Sequence, residues 1–276
     1  MSAGRRGTSR LSSSARFLLP FAVMLAALGG SLALAQSGAA DPAANQQKAR
    51  AVLQQMVAAM GGQQWLTLKN TMLQGRTTGF YHGKPTGDIG DYKQYFQFPD
   101  QTRIEFGKKG KVVEIIRGDQ GWEITYRGKL RIPADELNDF LRRRDHSVET
   151  AVRVWMKDPK TILLYGGQTM VERHLADEVT LINADNDSIV IQMDAQTHLP
   201  LRRSWQWRDP VYKDKNTDAE EYDDYHLIEG IPTPFDVSRY HNGDMTNQRF
   251  LYRAGYNVPL APEDFEPDAA AAKIKK

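Results

Sequence analysis

The chain is expected to fold as a mainly β protein with covering α-helices: a curved antiparallel sheet (an incomplete barrel) with the helices on its concave face. Three observations carry this expectation. From Leu68 onward, about a dozen short stretches alternate apolar and polar residues with a period of two, separated by turns containing Gly, Pro, Asn or Asp. Only two segments after the leader carry the 3.6-residue rhythm of an amphipathic helix. A meander that long must curl, close or split. Two one-sided helices with nothing else to cover belong on its apolar face.

The first element is a leader. Arg5, Arg6, Arg10 and Arg16 precede an apolar stretch from Phe17 to Leu28 that only Pro20 interrupts. Gly29-Gly30-Ser31 then loosens the chain, and Ala33-Leu34-Ala35 supplies the small-x-small pattern of a cleavage site before Gln36. Phe17 to Ala35 just reaches the ~18 residues that a membrane anchor needs. Pro20, the glycine pair and the cleavage pattern favour a signal peptide over residues 1–35, removed after Ala35 on export to a periplasm. Residues 36–276 then make up a single half-barrel domain.

A helix should start at Asp41, its N-cap, with Pro42 in the first turn. Ala49, Val52, Leu53, Met56, Val57 and Met60 form its apolar stripe, and Gly61-Gly62 ends it. Strands are predicted over about 68–80, 90–98, 101–107, 111–118 and 121–127. Trp122, Ile124 and Tyr126 should look inward, against Glu123, Thr125 and Arg127. Between Pro133 and Lys157 the helical rhythm returns, with Leu137, Phe140, Leu141, Val148, Val152 and Trp155 opposite Arg142, Arg143, Arg144 and Glu149. Strands resume over about 168–175, 177–183, 188–194, 199–208, 219–228, 234–241 and 247–256. In the fourth of these, Leu199, Leu201, Trp205 and Trp207 share a face against Arg202, Ser204, Gln206 and Arg208. The tail from Ala269 is polar and expected to fray.

Composition removes several functional classes. The whole chain carries 36 Lys+Arg and 34 Asp+Glu, but four of the arginines lie in the leader, so residues 36–276 are slightly acidic. No nucleic-acid partner is expected, because that would need a standing excess of positive charge. With no cysteine there is no disulfide framework, thiolate metal site, cysteine nucleophile or acylated lipobox. His82, His146, His174, His198, His226 and His241 stand alone, without metal-ligand spacing, and read as surface or turn residues. The segment Asn183 to Asp187 is a weak match to a calcium loop and a better match to a hairpin turn. The acidic run Asp218, Glu220, Glu221, Asp223 and Asp224 reads as a solvated strand start. No nucleophile, phosphate-loop or dinucleotide motif is present, so no enzyme activity and no cofactor are expected.

A half-open sheet under loosely attached helices leaves an apolar cavity, and such cavities hold apolar ligands. The candidate lining comprises Trp122, Ile124, Tyr126, Phe140, Leu141, Trp155, Met193, Leu201, Trp205 and Trp207. Methionines suit a lining that adapts to flexible acyl chains.

Short segments also resemble a known family. Asp194-Ala195-Gln196-Thr197-His198-Leu199-Pro200-Leu201-Arg202 resembles the strand–turn–strand of exported proteins similar to LolA, the carrier that sorts outer-membrane lipoproteins. Tyr222 to Tyr225, followed by Glu229-Gly230-Ile231-Pro232-Thr233-Pro234-Phe235, resembles that group's tyrosine strand and Gly–Pro–Phe turn. Asn257 to Leu260 with Phe265 is similar to its closing segment, and Leu53 to Gly62 with Trp65 and Leu68 to its opening. The resemblance implies a LolA/LolB-like half-barrel and lipid or lipoprotein handling in the periplasm. It implies acyl chains as ligand, with an inner-membrane donor and an outer-membrane acceptor as partners. The missing lipobox departs from the anchored acceptor and fits a soluble shuttle. The alternative reading is an envelope signalling or interaction module that senses lipids or lipoproteins.

Overall fold

Asp41 accepts a hydrogen bond from the Ala43 amide at 3.0 Å and so caps α1 (Pro42–Ala59). The computed structural model describes residues 41–87, 89–107 and 110–274. The expected signal peptide and its cleavage site lie outside these residues. Helix α1 buries Ala49, Val52, Leu53 and Met56, the stripe its spacing predicts. Each large apolar side chain removed from water contributes ~1.5–3 kcal/mol. Gly61, at φ 109°, turns the chain into the short α2 (Gln63–Leu66), which seats the buried Trp65.

The strands follow in meander order. They are β1 (Asn70–Tyr81), β2 (Lys84–Pro85), β3 (Gly90–Gln97), β4 (Gln101–Phe106), β5 (Val112–Arg117), β6 (Gln120–Thr125) and β7 (Gly128–Arg131). Helices α3 (Ala134–Asp145) and α4 (Val148–Arg153) and a 3-10 turn (Trp155–Lys157) come next. The second half is β8 (Ile162–Val171), β9 (His174–Ile182), β10 (Ser188–Asp194), β11 (Pro200–Arg208), β12 (Lys215–Ile228), β13 (Ile231–His241) and β14 (Asp244–Tyr256). A 3-10 turn (Pro262–Phe265) and α5 (Pro267–Ile274) close the described chain.

All pairings are antiparallel, and β1 pairs with β14, joining the two halves into one sheet. Among the described residues the sheet has two free edges, β7 and β8, and is not closed. The segment joining those edges carries α3 and α4 across the sheet. Arg144 donates to the Gly118 carbonyl beyond β5 at 2.7 Å, while His146 stacks on Trp205 of β11 at 5.2 Å. In a flat sheet those strands would be seven spacings of ~4.8 Å apart, ~34 Å. The sheet therefore curves around the helices.

Several expectations need correction. The strand expected over 168–175 begins at Ile162 and turns at Glu172, whose φ is 51°; the register shifts at Gly166-Gly167, a bulge inside it. The tail is not frayed throughout: α5 buries Ala270 against Val113, Ile115 and Ile124. Helix α5 and the second 3-10 turn lie on the opposite face from α3, so both faces of β4–β6 are covered. Trp122 and Ile124 point toward α5, and Gly121 and Glu123 lie on the α3 side, reversing the expected register. Tyr126 sits in the β6–β7 turn, 73% exposed. At β11 a bulge between Pro200 and Arg202 moves Leu201 to the outer face.

Candidate functional site

The concave face and α3 enclose a cleft of about 250 Å³. One wall is apolar and aromatic: Leu73 of β1, Tyr92 and Phe96 of β3, Phe98 beyond it, and Leu251 of β14. Strand alternation places these side chains together. Leu73 pairs with Gln94 and Gly75 with Tyr92, so even residues of β3 share a face with odd residues of β1. Arg153 of α4 lies over the Phe98 ring at 3.6 Å and donates to the Leu68 carbonyl at 2.9 Å. Phe140 covers the cleft from α3, a helix with no fully buried residue.

The other end is charged. Arg203, Glu220 and Arg239 are successive cross-strand partners on β11, β12 and β13. The Glu220 carboxylate accepts from Arg203 Nη2 at 2.8 Å and Arg239 Nε at 2.6 Å, with Arg249 Nη2 at 3.4 Å. Arg203 also donates to the carbonyls of Arg143 and His146, tying the sheet to the end of α3. Burial alone would raise the Glu220 pKa, but the three guanidinium groups outweigh it and hold the carboxyl well below its ordinary range. Burial and the neighbouring Arg249 lower Arg239 to about 9, which leaves it charged at neutral pH. Arg143 enters from α3; burial lowers its pKa, and Glu220 offsets part of that. Among the described residues the cleft is lined by seven cationic side chains (Lys69, Arg143, Arg144, Arg153, Arg203, Arg239 and Arg249) and two carboxylates (Glu149 and Glu220).

Of the ten residues expected to line a cavity, the cleft takes Phe140. Trp155 and Met193 are packed into the core beneath α1 and α4. Trp205 is buried against His146, and Trp207 lies under Arg142, ring to guanidinium 3.8 Å. Leu141 is half-buried on α3 and does not line the cleft. Trp122, with Arg131 over its ring at 4.4 Å, and Ile124 belong to the α5 side; Tyr126 is in solvent; Leu201 lines a separate hollow on the outer face.

The residues missed are the charged ones. Glu220 belongs to an acidic run that reads in sequence as solvated, yet only 4% of it is exposed. Asp218 of the same run accepts from Trp207 Nε1 at 2.8 Å and bonds His241 Nδ1 at 2.7 Å. His146 is a core residue, bonded to Asp187 at 3.0 Å. The signal was the parity of Arg203, which shares the face of Trp205 and Trp207. Arg143 and Arg144 fall on the cleft side with Phe140 because, three and four residues on, they share its face of α3. Among the described residues no group of three His, Cys, Asp or Glu side chains is placed to hold a metal ion.

No protein-family model matches the chain, and no curated protein matches it. Solved structures match its fold. A DUF1329 family protein from Desulfovibrio piger superposes with a TM-score of 0.56 at 15% identity, covering 82% of this chain and 98% of its own. A domain assigned to outer membrane lipoprotein sorting, from Vibrio parahaemolyticus, gives 0.53 at 10% identity, with 84% and 100% covered. A LolA superfamily protein from Nitrosomonas europaea gives 0.50 at 11% identity, with 80% and 98% covered. The chain has a LolA-like fold.

Proposed function

We propose that this protein is an exported periplasmic carrier that shelters acyl chains of lipids or lipoproteins in the cleft between the concave sheet and α3. The observation that carries the reading is the aromatic wall of Tyr92, Phe96 and Phe98, covered by Phe140 on a helix that buries none of its residues fully. The C-terminal end of α3 is anchored to the sheet through Arg203 and Arg144, whereas its first turns are exposed, so the helix covers the cleft without filling it. The fold is shared with proteins named for lipoprotein sorting, which supports the reading without carrying residues across. The protein acts by binding rather than by catalysis, and a membrane donor and acceptor are its partners.

The test pairs two measurements on one variant. An ordinary core aromatic cut to alanine costs ~3–5 kcal/mol. Phe140→Ala should cost less, because Phe140 borders space it does not fill, and it should weaken uptake of a fluorescent fatty-acid probe. A full core-sized loss, together with no probe uptake by the unmodified protein, would end the carrier reading.

A further inference from the structure

The aromatic wall, with Arg153 over Phe98, and the cluster around Glu220 lie far apart in the cleft. Opposite β1, Phe96 pairs with Thr71 and Arg249 with Thr77, a separation of six residues along the strand, or ~20 Å. One leaflet of bilayer hydrocarbon is ~15 Å deep, half of a ~30 Å core. An acyl chain of that length covers most of this distance, and a headgroup at its end makes up the remainder.

The arginine end carries more positive charge than its carboxylates neutralise. Glu220 already faces Arg203, Arg239 and Arg249. Arg143 comes to the same place from α3, and among the described residues its guanidinium has no hydrogen bond or ion pair. The buried Nε of Arg249 is also without a partner there. Arg142 and Arg202 also leave a buried Nε without a partner, but of these three arginines Arg249 is the one that lines the cleft. Planar guanidinium forks left over at the end of an apolar cleft match a carboxylate or phosphate.

We propose that Arg143 and Arg249 receive the anionic headgroup, a carboxylate or a phosphate, of an amphiphile whose acyl chain lies along the aromatic wall. This rests on the carrier reading above and narrows it. The acylated terminus of a lipoprotein is joined through uncharged esters and amides and brings nothing to that end. An acidic lipid is the cargo that uses both ends.

The experiment measures binding of four amphiphiles of equal chain length to the full mature chain: a fatty acid, an alkyl phosphate, a fatty alcohol and an alkyl trimethylammonium. The acid and the phosphate should bind at least ~10-fold more tightly than the alcohol, with a preference that shrinks as salt rises. The ammonium should bind most weakly. The stronger of the two anions separates a free fatty acid from a phospholipid as the source. Arg143→Gln should bring the acid-to-alcohol ratio toward one, and Arg143→Lys should restore part of it; thermal unfolding on the same samples reports whether each variant is folded. A ratio near one in the unmodified protein overturns the headgroup proposal and leaves the carrier reading standing. Uptake of none of the four overturns both.

Discussion

At the scale of single residues, two carboxyl groups, Glu220 buried and Glu114 half-buried, behave in opposite ways. Glu220 sits among guanidinium groups, and Glu220→Gln leaves Arg203 and Arg239 buried without their counter-charge. That change should lower the unfolding free energy by ~3–5 kcal/mol, read by chemical denaturation. Because the Glu220 pKa is depressed in the folded state, its contribution is complete above its ordinary value and is lost as pH falls through the folded one. Glu114 is the reverse. It lies directly opposite Glu123 across β5 and β6, and burial first, then Glu123 and Glu136, raise its pKa from 4.5 to about 7. Between those values the folded state holds a proton that the unfolded chain has released, so stability falls as pH rises through that window. Glu114→Gln should abolish that slope and stabilise the protein by on the order of 2 kcal/mol at about pH 8, allowing for partial solvent screening. Denaturation at about pH 5 and pH 8 checks it; a slope that survives the substitution would assign the pH dependence to another group.

At the scale of elements, the bulges decide which side chains meet. The β1–β14 register shifts at Gly75, where an added Cβ would collide with the Phe250 carbonyl oxygen and lie 2.9 Å from Leu251 Cα. Backbone cannot yield as a side chain does, so Gly75→Ala should cost ~1–3 kcal/mol by thermal or chemical unfolding. An unchanged midpoint would mean that the two strands separate more easily than their pairing suggests. The bulges at Gly166-Gly167 and at Leu201 work in the same way on β8 and β11. Turn residues announce a hairpin in sequence, but one extra residue inside a strand carries no such mark. This is why Leu201 was expected on the inner face and lies on the outer one. Helix α1, by contrast, was legible to its buried residues, because its stripe, its aspartate cap and its glycine stop agree.

At the scale of the whole molecule, the pairing of β1 with β14 brings the two halves into one sheet, and the crossing from β7 to β8 holds α3 over the cleft. The carrier reading requires export. N-terminal sequencing of the envelope form should find Gln36 first, and a membrane-bound form starting at Met1 would make the leader an anchor. The amino-acid order was enough to specify a long antiparallel meander with two helical segments, since period, caps and turn residues act over a few neighbours. It was also enough to place Phe140 on a helical segment between the two sets of strands. Two things were settled only by packing. On β6 both faces are covered, so an apolar stripe alone does not say which helix it meets, and Trp122 and Ile124 turned to α5. Arg203, Glu220 and Arg239 are far apart in the chain and become neighbours only when β11, β12 and β13 align. A carboxylate reads as solvated until the strand beside it supplies the opposite charge, and that strand is placed by long-range pairing.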